Sequence, residues 1–259
     1  MIWAAVSSPS SEVIRALVKA GAELEARDSQ GRTALLYAAL YNPRPAVATA
    51  LLEAGADVKV QAGHGLNVVM ASARNPNPEV AAVALRAGVD VNARTDNGFT
   101  ALMFAAGNQD PDMVTTFLNA GANVNASSDK GETPLMSAAV NANPEVAARL
   151  LGAGADIDAR ASDGSTSLMF AAMGNSNLAV IATLLKARPD VNALDNDGRS
   201  ALMWAAMEND NPQVIVALLQ AGAEAKKKDN AGKTALDYAR ENDAIRDTEA
   251  YKKLNDAPR

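Results

Sequence analysis

The sequence predicts an all-α array of stacked helix–turn–helix units, and three observations carry that prediction. Glycines recur at Gly31, Gly65, Gly98, Gly131, Gly164, Gly198 and Gly232, at steps of 34, 33, 33, 33, 34 and 34 residues. Two residues after each comes a short signature: Thr33-Ala34-Leu35, Thr100-Ala101-Leu102, Thr133-Pro134-Leu135, Thr166-Ser167-Leu168, Ser200-Ala201-Leu202 and Thr234-Ala235-Leu236, with one degenerate copy, Asn67-Val68-Val69. Between the glycines, apolar residues pair at i and i+4: Val47/Leu51, Val80/Ala84, Met113/Phe117, Val146/Leu150, Val180/Leu184 and Val214/Leu218. That is a helical stripe, not strand alternation. Self-similarity at such a period marks units that cannot bury their apolar faces alone and do so by stacking on their neighbours.

Each element of the unit follows from local chemistry. Asp/Asn-x-Gly clusters such as Asp96-Asn97-Gly98 are turns, because glycine reaches positive φ at no steric cost. Thr100 or Ser200 at the helix entrance is expected to cap free backbone N–H groups. Pro134 suits a first helical turn, where its missing N–H costs nothing. A short Ala-rich helix follows, whose Ala105-Ala106 pair allows close approach of a neighbour. Asn75-Pro76, Asp110-Pro111, Asn143-Pro144 and Asn211-Pro212 then break the chain, with the proline expected to start the second helix. That helix stops at a glycine in Ala20-Gly21-Ala22, Ala54-Gly55-Ala56, Ala87-Gly88-Val89, Ala120-Gly121-Ala122, Ala153-Gly154-Ala155 and Ala221-Gly222-Ala223. One copy departs, Ala187-Arg188-Pro189, and raises the expectation of a local irregularity.

The whole chain, 1–259, reads as a single domain: a partial unit over 1–27, full units over 28–61, 62–94, 95–127, 128–160, 161–194 and 195–228, and a cap over 229–259. The cap carries Asp237, Arg240, Glu241, Asp247, Lys252 and Lys253 where an inner unit would be apolar. The start has no such polar face. Trp3-Ala4-Ala5 aligns with Trp204-Ala205-Ala206, so the chain opens inside a first helix, and a fragment of a longer protein is expected rather than an abbreviated cap.

Composition narrows the function. A net charge of −6 offers little counterion release on a phosphate backbone, so no nucleic-acid partner is expected. The absence of cysteine removes disulfides, thiolate nucleophiles and Cys-based zinc sites. The single histidine, His64, sits in Gly63-His64-Gly65 with no nucleophile pattern around it, and reads as an exposed turn residue. Asp195-Asn196-Asp197-Gly198 starts like a calcium loop, but its glycine comes too early and Trp204 stands where a Glu ligand is needed. No phosphate-binding glycine motif is present, and no apolar run of roughly 18 residues could cross a membrane. No catalytic residue, cofactor or metal is therefore expected, and no membrane association. No signal-peptide pattern stands at its start, so a cytoplasmic location is the default expectation, left open by the expectation of a longer parent chain. Lys226-Lys227-Lys228 reads as a solvated basic face.

These repeats resemble the ankyrin repeat, with its 33-residue period, its Gly-x-Thr-Pro-Leu-His-x-Ala-Ala helix and its Gly-Ala-Asp-Val-Asn ending; the wording is similar to bacterial ankyrin arrays. The resemblance implies an ankyrin-repeat solenoid with β-turn finger loops. There are departures. The histidine after the leucine is replaced by Met70, Met103, Met136, Met169 and Met203, by Leu36 and by Asp237, and the Gly-His between the helices becomes Asn-x-Asn-Pro. The methionines are expected in the core, where a thioether fills space adaptably.

The resemblance also implies a function and a face. Ankyrin arrays recognise proteins through the turn tips and the concave residues directly after Ala-Ala. Carried over position by position, those slots hold Arg32, Leu66, Phe99 and Arg199 at tips, and Leu40, Tyr41, Arg74, Val140, Met173, Met207 and Glu208 beside the helices. Six of the ten aromatics (Trp3, Tyr37, Phe104, Phe170, Trp204 and Tyr238) occupy the slot before Ala-Ala, where they either pack between first helices or line the groove. The expectation is a non-enzymatic, monomeric scaffold binding another protein through this face. The alternatives are the recognition segment of a larger enzyme or effector, and a stoichiometric inhibitor.

Overall fold

The computed structural model describes residues 1–257. Its helices gather into two compact units, Met1–Asp129 and the chain from Lys130 onward. The first unit contains α1 (Ile2–Ser7), α2 (Ser11–Lys19), α3 (Ala34–Tyr41), α4 (Pro45–Glu53), α5 (Val68–Ser72), α6 (Pro78–Arg86), α7 (Ala101–Ala106) and α8 (Pro111–Asn119). The second contains α9 (Pro134–Ala139), α10 (Pro144–Gly152), α11 (Ser167–Gly174), α12 (Leu178–Lys186), α13 (Ala201–Glu208), α14 (Pro212–Gln220), α15 (Ala235–Ala239) and α16 (Glu249–Asp256).

Each unit is a double layer. In the first, α1, α3, α5 and α7 pack in series as inner helices, and α2, α4, α6 and α8 pack in series behind them. In the second, α9, α11, α13 and α15 form the inner row and α10, α12, α14 and α16 the outer one. Small side chains permit this spacing: Ala38, Ala39, Ala105, Ala106, Ala138, Ala139, Ala171, Ala172, Ala205 and Ala206 are all buried. Between the layers lie the i, i+4 pairs, every one of them buried, and the five methionines of the former histidine slot. The expected methionine core is therefore observed. So is the left-handed helix stop, with Gly21, Gly55, Gly88, Gly121, Gly154 and Gly222 all at positive φ.

Arg188 takes the same left-handed conformation as those glycines, at φ 57°. Pro189 has no N–H, so it cannot make the bond to the helix carbonyl that Ala155 makes to Leu150 at 3.0 Å. The helix pair nevertheless keeps its place, α12 packing on both α10 and α14. The irregularity is confined to one strained residue and one missing hydrogen bond.

Two local expectations need correction. Pro76 does not open a helix; Pro78 does, with Asn77 as its cap. Asn75 lies two residues before that cap, is fully buried and has a different role, described below. Thr100 makes no capping bond, and its hydroxyl is buried without a partner. The reason is marginal geometry: Thr166 has nearly the same backbone angles, and its bond from Met169 is already 3.4 Å long. Ser200 does cap, also at 3.4 Å, whereas Asn67 in the degenerate copy reaches Met70 at 2.9 Å.

The C-terminal cap is an amphipathic close to the second unit. Ile245, Ala250 and Leu254 are buried, and Arg240, Glu241, Asp247, Lys252 and Lys253 are exposed. Asp237 is half-buried rather than a plain surface charge, because it completes a capping box with Thr234. Hydrogen bonds from the Thr234 backbone and hydroxyl hold its carboxyl below the ordinary range. Lys226 is likewise more than a solvated charge: its Nζ donates to the carbonyls of Leu254 and Asn255 at 3.4 and 3.2 Å, at the negative end of α16.

Candidate interaction surface

A buried seam of asparagines sets the inner helices in register, and thereby the face they present. Asn75 Nδ2 donates to the carbonyls of Ala39 and Asn42, at 2.9 and 3.1 Å, in the unit before it. Asn42 does the same to Ala5 and Ser8, and Asn108 to Ala73 and Asn75. In the second compact unit Asn175, Asn209 and Asn242 repeat the pattern on Ala139 and Asn141, Ala172 and Asn175, and Ala206 and Asn209. Each side-chain oxygen also accepts the N–H two residues on, as Asn75 does from Asn77 at 2.9 Å. The first helix has just ended there, so its last carbonyls lack helical partners; the amide supplies them. Sequence reasoning noted Asn-x-Asn-Pro as a departure from the family and did not assign this role, although the 33- and 34-residue recurrence of asparagine was visible.

The tips form a second ladder. Gly63 N–H donates to Gln30 O, Asp96 N–H to His64 O and Asp129 N–H to Asn97 O, at 2.9, 3.1 and 3.1 Å. Short antiparallel bridges, Ala62 with Leu66 and Arg94 with Thr100, close the finger turns. At Gly98 two constraints coincide. Its φ is +78°, and a Cβ there would lie 2.7 Å from the Asp129 backbone nitrogen, so the next finger passes where only glycine leaves room.

Three tips carry an acid, a cation and an aromatic at i, i+4 and i+9, a pattern that was not recognised from the sequence. Asp28 Oδ2 accepts from Tyr37 Oη at 2.7 Å and from Arg32 Nε at 2.9 Å, while the Arg32 guanidinium lies 4.7 Å above the Tyr37 ring. The Tyr37 hydroxyl, together with the Arg32 and Gln30 backbone N–H groups and the Arg32 side chain, outweighs partial burial and holds the Asp28 carboxyl well below the usual range. The same bond, with burial, pushes the Tyr37 phenol up. At the other two tips the aromatic again donates to the acid beneath a cation, but the cation pairs elsewhere: Trp204 Nε1 donates to Asp195 Oδ2 at 2.8 Å under the Arg199 guanidinium 5.1 Å away, which pairs with Asp197. Tyr238 donates to Asp229, with Lys233 Nζ 5.0 Å from the ring and paired with Glu241. Burial pushes the Asp229 carboxyl up, but hydrogen bonds from Tyr238, Lys233 and Ala231 outweigh it and leave the group below its ordinary value.

The sequence-selected residues now have places. Arg32, Leu40, Tyr41, Leu66 and Arg74 line one recess of about 260 Å³ in the first compact unit, joined there by Gln30, His64 and Phe104. Tyr41 is 52% exposed and its ring lies 5.9 Å from that of Tyr37. Arg74 is exposed, its guanidinium 5.5 Å from the Phe104 ring centre. His64 is exposed at a turn, at φ 63°. Leu40 is a correction: at 8% exposure it forms a wall of the recess and offers almost no free area, because α3 packs against both α1 and α5. Phe99 is also less free than a bare tip, being half-buried with its ring 5.8 Å from Phe104. Arg32 and Arg199 are half-buried, each in an ion pair with an aspartate of its own tip, Arg199 NH1 lying 3.2 Å from Asp197 Oδ2.

In the second unit Val140 is 53% exposed, Met173 and Met207 are half-buried and Glu208 is exposed at the end of α13. They stand at equivalent positions of the adjacent helices α9, α11 and α13. Of the aromatic slot, Trp3 is 84% exposed and Tyr238 is buried; Tyr37, Phe104, Phe170 and Trp204 are half-buried, so most of these rings both pack and show an edge.

Among the described residues no three His, Asp or Glu side chains cluster at metal-binding distance, and no helix is long and apolar enough to cross a membrane. Helix pairs in two layers, joined by laddered finger turns, define an α-helical repeat protein that presents side chains from its inner row and tips. The chain belongs to the ankyrin-repeat family: a family model described as ankyrin repeats (3 copies) matches residues 1–62, 69–161 and 168–254. No curated protein matches the chain. Ankyrin repeats are in general protein–protein interaction modules and typically non-catalytic.

Proposed function

We propose that this chain is a preformed scaffold that binds a protein partner through the inner-helix and tip face, with the recess of the first compact unit as its anchor point. The observation that carries this reading is convergence. Five residues chosen from five different sequence positions, Arg32, Leu40, Tyr41, Leu66 and Arg74, line a single recess. The surroundings are already ordered by the asparagine seam and the finger ladder, so binding there orders little and loses little conformational entropy. Aromatic and arginine anchors dominate protein interfaces, and Tyr41 and Arg74 are of those two types and exposed. Val140 and Glu208 in the second compact unit are further candidate contacts, with Met173 and Met207 contributing partial apolar edges.

The test is capture from a cell extract of the source organism, with the wild type beside two surface variants, Tyr41→Ser/Arg74→Ser and Val140→Ser/Met207→Ser. A partner held by the wild type and lost by the first variant, at unchanged helix content, is the expected result. A partner retained by both variants would place the binding face elsewhere.

A further inference from the structure

We infer that the recess between Arg32 and Arg74 takes an acidic peptide segment: a carboxylate side chain flanked by a flat apolar or aromatic one. This rests on the scaffold reading above and goes further by stating the chemistry of the occupant.

Charge comes first. The protein carries a net charge of −6, yet the recess is lined by Arg32, Arg74 and His64 and by no carboxylate. Of the acids beside its lining residues, Asp28 is engaged by Tyr37 and Arg32, and Asp96, exposed next to Thr95, has its Oδ1 3.0 Å from where a Cβ on Gly65 would be. Arg74 is the distinctive group. It is exposed, sits over the Phe104 ring, and pairs with no carboxylate among the described residues. An arginine stacked on an aromatic keeps its planar fork of donors oriented, and that fork matches a carboxylate bidentately.

Size comes second. A volume of about 260 Å³ lies below the roughly 300–1,000 Å³ of small-molecule pockets. It suits one or two side chains of a longer segment running across the inner helices, not a complete metabolite. Shape comes third. Beside the cations stands Tyr41, 52% exposed, backed by Tyr37 and therefore held as a rigid face against which an apolar neighbour of the carboxylate can lie.

The experiment selects binders from a displayed library of random linear peptides on the full chain, in parallel on the wild type, Arg74→Glu and Val140→Ser/Met207→Ser. An enriched peptide is then labelled and its Kd read by fluorescence anisotropy at low and high salt. The wild type is expected to enrich peptides with Asp or Glu beside Tyr, Trp, Phe or Leu, and their affinity should fall with added salt. Losing a charged hydrogen-bonding partner weakens such a complex by about 10-fold or more, so Arg74→Ala should cost about that factor and Arg74→Glu more. Arg74→Glu should also turn selection toward Lys- and Arg-containing peptides. Arg74 is exposed and the one described partner of its side chain is the Phe104 ring, so an unchanged urea midpoint is the expected folding control. Enrichment of uncharged or basic peptides by the wild type, or acidic binders indifferent to Arg74→Glu, would overturn the inference. Binders lost on Val140→Ser/Met207→Ser but not on Arg74→Glu would overturn it too, while leaving the scaffold reading in place. No enrichment at all would also count against the recess, and the extract capture would then decide the scaffold reading separately.

Discussion

At seven positions along the chain, Asn42, Asn75, Asn108, Asn141, Asn175, Asn209 and Asn242, the residue just after the inner helix is the same; at the seven tips it is Arg32, Leu66, Phe99, Glu132, Ser165, Arg199 and Lys233. Both rows recur at the same period, but only one is uniform. The asparagine must reach carbonyls of the preceding helix pair with its nitrogen and a following N–H with its oxygen, while lying mostly out of water. Few side chains place a donor and an acceptor at that reach, so the position admits little variation. The tip residue has only to follow the turn glycine and let the backbone ladder form. Its side chain is free to vary, and the variation makes one unit's surface different from the next.

The seam is where a single substitution should cost most. Asn75→Ala should destabilise the fold by about 3 kcal/mol, because two buried carbonyls lose their donor and the Asn77 N–H loses its acceptor. The midpoint of urea unfolding measures it, and a change under about 1 kcal/mol would show that water replaces the amide and that the seam is not structural.

The tips should respond less, and in proportion to their partners. Trp204→Phe keeps a ring beneath Arg199 but removes the bond to buried Asp195, for an expected loss of about 2 kcal/mol by the same measurement. At the first tip the effect is one of pH. The Asp28 carboxyl is depressed in the folded state, so its contribution is fully present above the ordinary carboxylate pKa of about 4 and is lost as pH falls toward the depressed value. Unfolding midpoints followed through that acid range should fall more steeply for the wild type than for Asp28→Asn; parallel curves would remove this corner from the account. Its groups are only half-buried, which keeps the effect below that of the seam.

The smallest change is a gain. Arg188→Gly relieves a left-handed arginine at roughly 1–2 kcal/mol, partly offset by the greater freedom of glycine in the unfolded chain. A net stabilisation of about 0.5 kcal/mol is expected in thermal unfolding, and a loss instead would mean that the arginine side chain stabilises the turn.

The repeat period, the two helices of each unit, the methionine core and the glycine stops were all readable from the residues, since each depends on local chemistry repeated in register. Five of the candidate surface residues line one recess, because equivalent slots in a stack lie side by side. What the sequence did not disclose was how far each was free. Leu40 and Phe99 have the composition of contact residues but are held by α1, α5 and Phe104, and Arg32 and Arg199 are tied to aspartates of their own tips.

The sequence by itself determined the ankyrin-type helix pair, because turn glycines, prolines and i, i+4 stripes act over a few residues. Only the tertiary structure decided that Asn75 is a buried strut rather than part of a loop, that Pro78 rather than Pro76 opens its helix, and that Arg74 lies on a ring with no carboxylate partner among the described residues. Those outcomes turn on partners about 30 residues away, where the identity of a side chain says nothing until the stack has brought a carbonyl, a carboxylate or an aromatic face within reach.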